Sequence, residues 1–180
     1  MKNTFRKTYI LIGICALTLS LIQCNEKTAS SDFNKFTGRW KLHKIQLQDT
    51  ITQNWTDALG NNKDRKGFII YDGLGGMGVH HVTENYENFE FEGKGSLDSL
   101  TKRDLRHFTN NFVYFGKYNV NDIDKTIEHH IESHIYPKSW GSIAKREYKF
   151  KGDTLILSPL NKGLRLPVRI IWISLNDTTE

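Results

Sequence analysis

Cysteine is almost missing: the 180 residues contain two, Cys15 and Cys24, both near the N-terminus. A domain built from the rest has no thiol to pair or to bind a metal, so packing alone must hold it together. Long apolar runs are missing too. The stretch from Tyr9 to Ile22 falls short of the roughly 20 residues that span a bilayer as a helix. No basic stripe with interleaved aromatics occurs, which leaves no nucleic-acid role to infer. The net charge of +5 falls to +2 once Lys2, Arg6 and Lys7 of the leader are set aside. There is no internal repeat, no low-complexity tract and no cofactor motif. "GLGG" at Gly73 to Gly76 resembles a phosphate loop, but no helix pattern follows it, and it reads as a tight turn.

The leader has a basic start, an apolar centre and then "LIQC", which is the layout of a secretory signal peptide over residues 1–23. Leu21, Ile22, Gln23 and Cys24 resemble the lipobox of bacterial lipoproteins, in which the cysteine is acylated. Gln23 departs from the small residue preferred there. The rival is cleavage by the ordinary signal peptidase, and "LTLS" at Leu17 to Ser20 fits its small-residue rule poorly. Lipidation at Cys24 implies a membrane-anchored lipoprotein of the bacterial cell envelope, with residues 24–35 as a polar tether. After Cys24, 156 residues remain, enough for one domain, taken as 36–176.

From Phe36 the chain alternates apolar and polar residues in short runs broken by turn residues, the pattern of half-buried antiparallel strands. "GRWKLHKIQLQ" predicts the first strand. "GFIIYD" and "MGVHHV" predict a hairpin closed by Asp72 and the following glycines. Between them, "DTITQNWTDALGNNKDRK" reads as a polar loop anchored by Trp55. In "SLDSLTKRDLRHFTNNF" the apolar Leu97, Leu100, Leu105, Phe108 and Phe112 predict one amphipathic helix with Ser96 as its N-cap. Five more strand patterns follow. About eight antiparallel strands with short connections predict a mainly β, up-and-down barrel, which leaves no exposed edge.

Gly38, Arg39 and Trp40 form the G-x-W of a lipocalin first strand. The ordered series Tyr114, Gly116, Tyr118, His129, Pro137, Gly141, Arg146, Leu155 and Trp172 resembles the bacterial lipocalin-like domain from Phe36 to Ile173. The resemblance implies a barrel with one closed end and a cup for a small, largely apolar ligand. It also implies a structural pair at the closed end, Arg169 stacking on Trp40. The predicted helix and the long polar loop before Gly67 are departures that bear on the mouth of the cup.

The densest titratable stretch is "TIEHHIESHI", Thr126 to Ile135. Alternation puts Ile127, His129, Ile131, Ser133 and Ile135 on the inner face, and Glu128, His130, Glu132 and His134 outside. The outer set reads as a solvated face. Its competing reading, a metal site of His130, Glu132 and His134, lacks a fourth ligand and a cage. The same parity turns Tyr114 and Tyr118, and Arg146 and Tyr148, inward. An inward arginine needs a partner because it cannot neutralise. That partner is an unidentified carboxylate, carbonyls and water, or the anionic group of a ligand.

Tyr114, Tyr118, His129, Arg146 and Tyr148 are therefore the candidate ligand-binding wall. Three functions follow. A monomeric, membrane-tethered binder of a small hydrophobic or amphiphilic molecule, without cofactor or metal, fits best. An isomerase, cyclase or hydratase would use His129 and Arg146 for proton transfer and charge stabilisation, but no nucleophile, base and orienting group are recognisable as a set. A cup filled by its own side chains would make this a structural domain.

Overall fold

The structure, a computed structural model, describes residues 32–93, 97–160 and 166–176. The expected signal peptide, Cys24 and most of the tether lie outside these residues, as does Ser96. A short helix, α1 (Phe33–Phe36), leads into nine strands: β1 (Gly38–Gln48), β2 (Trp55–Asp57), β3 (Lys66–Tyr71), β4 (Gly76–Val82), β5 (Phe112–Asn121), β6 (Thr126–His134), β7 (Ile143–Lys151), β8 (Thr154–Pro159) and β9 (Val168–Ser174). All neighbours are antiparallel, and β9 returns to pair with β1. Eight strands thus close a barrel. The ninth, β2, was expected to be loop; it pairs with the far half of β1 through Gln46 to Gln48.

The two ends of the barrel differ. Residues 32–35, read from sequence as tether, belong to the fold: α1 plugs one end and buries Phe36 completely. Phe36 meets Tyr71, Tyr148 and Phe150 edge-on at ring separations of 5.2, 5.0 and 4.9 Å. At the same end the Asp72 carboxylate accepts from the backbone N–H groups of Leu74 and Gly76, which confirms the "GLGG" turn. The opposite end carries the long connections and stays open.

One of these connections holds α2 (Lys102–Thr109). It starts later than expected: Thr101 is its N-cap, with Asp104 completing a capping box. Asp104 also accepts from the N–H groups of Glu92 and Gly93 and is fully buried. Satisfying those donors turns Asp104 inward. Leu105 and Phe108, expected to pack down, are instead 50% and 40% exposed.

A β-bulge decides the face of the last histidine. Gly116 pairs with Ile131 and Phe115 with Ser133, so Glu132 is the extra residue on β6. A Cβ at Gly116 would overlap the His130 carbonyl oxygen, so only glycine admits this approach. Beyond the bulge the parity reverses. His134, expected outside, is buried and lies parallel to the Tyr114 ring at 5.8 Å, while Ile135 turns out to solvent.

Candidate functional site

The interior of the open half centres on His129, which is fully buried. Its Nδ1 lies 2.7 Å from the Tyr114 hydroxyl and 3.1 Å from Arg146 Nη1, and its Nε2 lies 2.9 Å from the Tyr71 hydroxyl. Arginine can only donate, so Nδ1 accepts and the ring proton sits on Nε2, donated to Tyr71. Burial first, then the Arg146 charge, holds the imidazole far below its ordinary pKa, so it is neutral. Burial likewise raises both tyrosines, Tyr71 furthest, so they stay protonated. Neutral partners cannot compensate the guanidinium.

Arg146 is 9% exposed. Its Nη1 donates to the Ala144 carbonyl oxygen at 3.0 Å as well as to His129, and Nη2 donates to the Tyr114 hydroxyl at 3.3 Å. Nε–H and the second Nη2–H, which lie side by side, have no hydrogen-bond partner among the described residues. No carboxylate among them comes within ion-pair distance either. Burying a cation without a counter-charge costs several kcal/mol, on the order of the penalties seen when buried pairs are broken. That free edge is the geometry that accepts a carboxylate through two parallel bonds.

Arg146 lies between two spaces. Below it is a small void of about 20 Å³ against Tyr114, His129, Leu157 and Trp172, large enough for about one water. The lower cup is therefore filled by the protein's own side chains. Above it opens a cleft of about 570 Å³, walled by Ile45, Phe112, Val168 and Ile170. Arg65, His81, Lys145 and Arg146 are its ionisable groups besides the Tyr136 phenol, and no acid lines it among the described residues. Arg65 Nε donates to His81 Nδ1 at 2.7 Å. Burial and that cation push His81 down to about 3.

The residues read as one wall are divided by height. Tyr114, His129 and Arg146 meet in the open half, whereas Tyr118 and Tyr148 belong to the plug. Tyr118 stacks on Phe33 at 4.8 Å, and the Tyr148 hydroxyl donates to Asp32 and Asp122 at 2.8 and 3.0 Å. Parity reports the face of a strand and not the distance along it. The predicted Trp40–Arg169 stack does not form either. Trp40 is inward and pairs with Ser174, while Arg169 faces outward opposite Gln46. It donates to Gln46 Oε1 at 2.8 Å and covers the Trp55 ring at 4.3 Å. Trp40 donates its indole N–H to the Phe36 carbonyl oxygen instead.

His130 and Glu132 do face outward, where Glu128 pairs with both His130 and Lys145, and Glu132 with Lys117. With His134 inside, the three proposed metal ligands do not share a face. Sequence reasoning missed Tyr71, His81, Arg65 and Phe112 as site residues. The alternation of "GFIIYD" carried a usable signal for Tyr71, since it shares parity with Ile69.

A family model described as a lipocalin-like domain matches residues 37–168. The chain belongs to the lipocalin-like family. The match spans every strand from β1 to β8, and the closed antiparallel barrel is consistent with a lipocalin-like fold. No curated protein matches the chain. The lipocalin-like barrel is compatible with ligand binding, and the particular ligand must be argued from the cleft.

Proposed function

We propose that this lipocalin-like protein is exported, tethered through an acylated Cys24 to a bacterial envelope membrane, and binds a small, largely apolar anion in its open mouth. One observation carries the ligand reading: Arg146 is buried, has no acid beside it among the described residues and keeps a two-donor edge below an apolar cleft. A carboxylate reaching that edge supplies the missing charge, and its apolar body lies along Ile45, Phe112 and Ile170. The void beneath is too small for more than a water, so the ligand sits head-down in the upper half. Both ring nitrogens of His129 are engaged by the protein. We therefore assign it the role of orienting Tyr114 and Arg146.

Native mass spectrometry of protein purified from its own envelope, followed by extraction, tests the ligand. A bound amphiphilic anion is expected; protein that is always empty, or that retains only a cationic or neutral sugar-like molecule, overturns the reading. The tether is tested by Cys24→Ser, which should leave the domain folded and release it from the membrane fraction. Identical partition of variant and parent removes the acyl anchor.

A further inference from the structure

Most of the exposed large apolar side chains of the described residues crowd the loops of the open end. Leu74 and Ile123 alone tip the closed-end hairpins. On one side of the mouth they form a collar. Phe91 stacks on Phe108 of α2 at 5.3 Å, and the Tyr136 hydroxyl donates to the carbonyl of Thr109, the last residue of α2. Trp140 and Ile143 continue the collar on the β6–β7 connection, each 57% exposed. Thr109 and Tyr136 also line the cleft, so collar and mouth are continuous. Helix α2 is turned inside out relative to a core helix, with Asp104 down and Leu105 and Phe108 up. Lys102, Arg106 and Lys138 lie among these residues with no ion pair among the described residues, whereas the neighbouring Glu92 and Glu87 are neutralised by Arg103 and Lys66.

We propose that this collar docks on an anionic lipid surface. Apolar and aromatic side chains beside uncompensated cations are what interfacial segments present to headgroups. The strap before α2 brings exposed acids of its own, Glu84, Glu90 and Asp98, so the apolar side chains carry most of the attachment. The tether permits this pose. Asp32 is bonded to Lys125 at the foot of β6, and the collar stands at the head of the same strand. Eleven steps from Lys125 to Tyr136 place those points at most about 36 Å apart. The eight steps from Cys24 to Asp32 reach up to about 28 Å. A barrel held at Cys24 can therefore tilt obliquely until its mouth meets the same membrane, which lets an amphiphilic anion pass between lipid and cleft. The purpose of the docking rests on the ligand reading; the docking itself is testable alone.

Vesicles of phosphatidylethanolamine and phosphatidylglycerol, mixed with residues 24–180 carrying Cys24→Ser so that neither leader nor acyl group holds the chain, provide the test. Leu105→Asp with Ile143→Asp should reduce sedimentation with vesicles by about tenfold or more. Leu74→Asp with Ile123→Asp, at the closed end, should leave it unchanged, as should Arg146→Met. Circular dichroism checks the fold, and Leu105→Ser with Ile143→Ser serves if the aspartates disturb it. A parent that ignores vesicles, equal losses from both ends, or a dimer that the collar substitutions dissociate overturns lipid docking. Failure of the ligand reading shows elsewhere, as a fluorescent fatty acid that binds parent and Arg146→Met equally without vesicles.

Discussion

The plugged end and the open half use the same residue types and treat charge in opposite ways. At the plug, buried Asp32 is bonded to Lys35, Lys125 and the Tyr148 hydroxyl, and the two lysines, first Lys125, hold its carboxyl well below the ordinary range. Beside it Phe36 packs edge-on against Tyr71, Tyr148 and Phe150. In the open half, buried Arg146 faces only neutral partners, and His129, His81 and His134 are all held below their ordinary pKa by burial. The plug is a finished structure. In the open half Arg146 meets no counter-charge among the described residues.

The comparison is broken most severely by acid. Histidines with depressed folded pKa values take up protons on unfolding, so their contribution is fully present above pH of about 6.5 and is lost as pH falls below it. For fully buried His129 the loss approaches about 3 kcal/mol by pH 4.5, with His81 adding in the same sense. Asp32, its folded pKa depressed, loses its contribution only below the ordinary carboxyl range near 3.8. Urea unfolding between pH 7 and 4.5 should therefore show a slope set by the open half, and His129→Gln should flatten it by one proton. A flat profile in the parent would mean that these histidines protonate freely in the folded state.

Phe36→Ala removes the centre of the plug, and thermal unfolding should report a loss of about 3–5 kcal/mol. Phe36 reaches Arg146 only indirectly, through Tyr71 and His129, so fatty-acid affinity at the mouth should fall by much less than the stability does. Coupled loss of affinity would show that the ends are not independent.

Arg146→Met reverses that pattern. Titration calorimetry with a fatty acid should show binding weakened by about 1.5–3 kcal/mol, roughly ten- to a hundredfold. The empty protein should melt no lower, since methionine fills similar volume and relieves an uncompensated cation. A lower melting temperature with unchanged affinity would make Arg146 a staple for Ala144 and Tyr114.

The smallest effect concerns the outer face. Arg169→Ala should cost about 0.5–1 kcal/mol through Trp55. In double-mutant cycles Arg169 should couple to Trp55 and not to Trp40; the opposite result would restore the stack that the register rules out.

Period-2 alternation made nearly all the strands and their closure readable, because burying one face of each strand demands it. It also placed Tyr114, His129 and Arg146 inward correctly. It failed at His134 because a bulge of one residue reverses every later side chain, and the only trace of that bulge is Gly116 on another strand. It failed for α2 because Asp104 is drawn inward by backbone donors of Glu92 and Gly93, which no helical periodicity contains.

The sequence by itself determined a barrel held without disulfides, the turn chemistry of Asp72 and the inward parity of its central polar residues, since these depend on side chains within one strand or turn. Tertiary structure decided which inward residues meet. Tyr71 reaches His129 from β3, Tyr118 and Tyr148 fall to the plug, and Arg146 is left with one unmet edge under an open cleft. Height along a strand and register between strands are set by pairing across the whole barrel, and no local pattern encodes them.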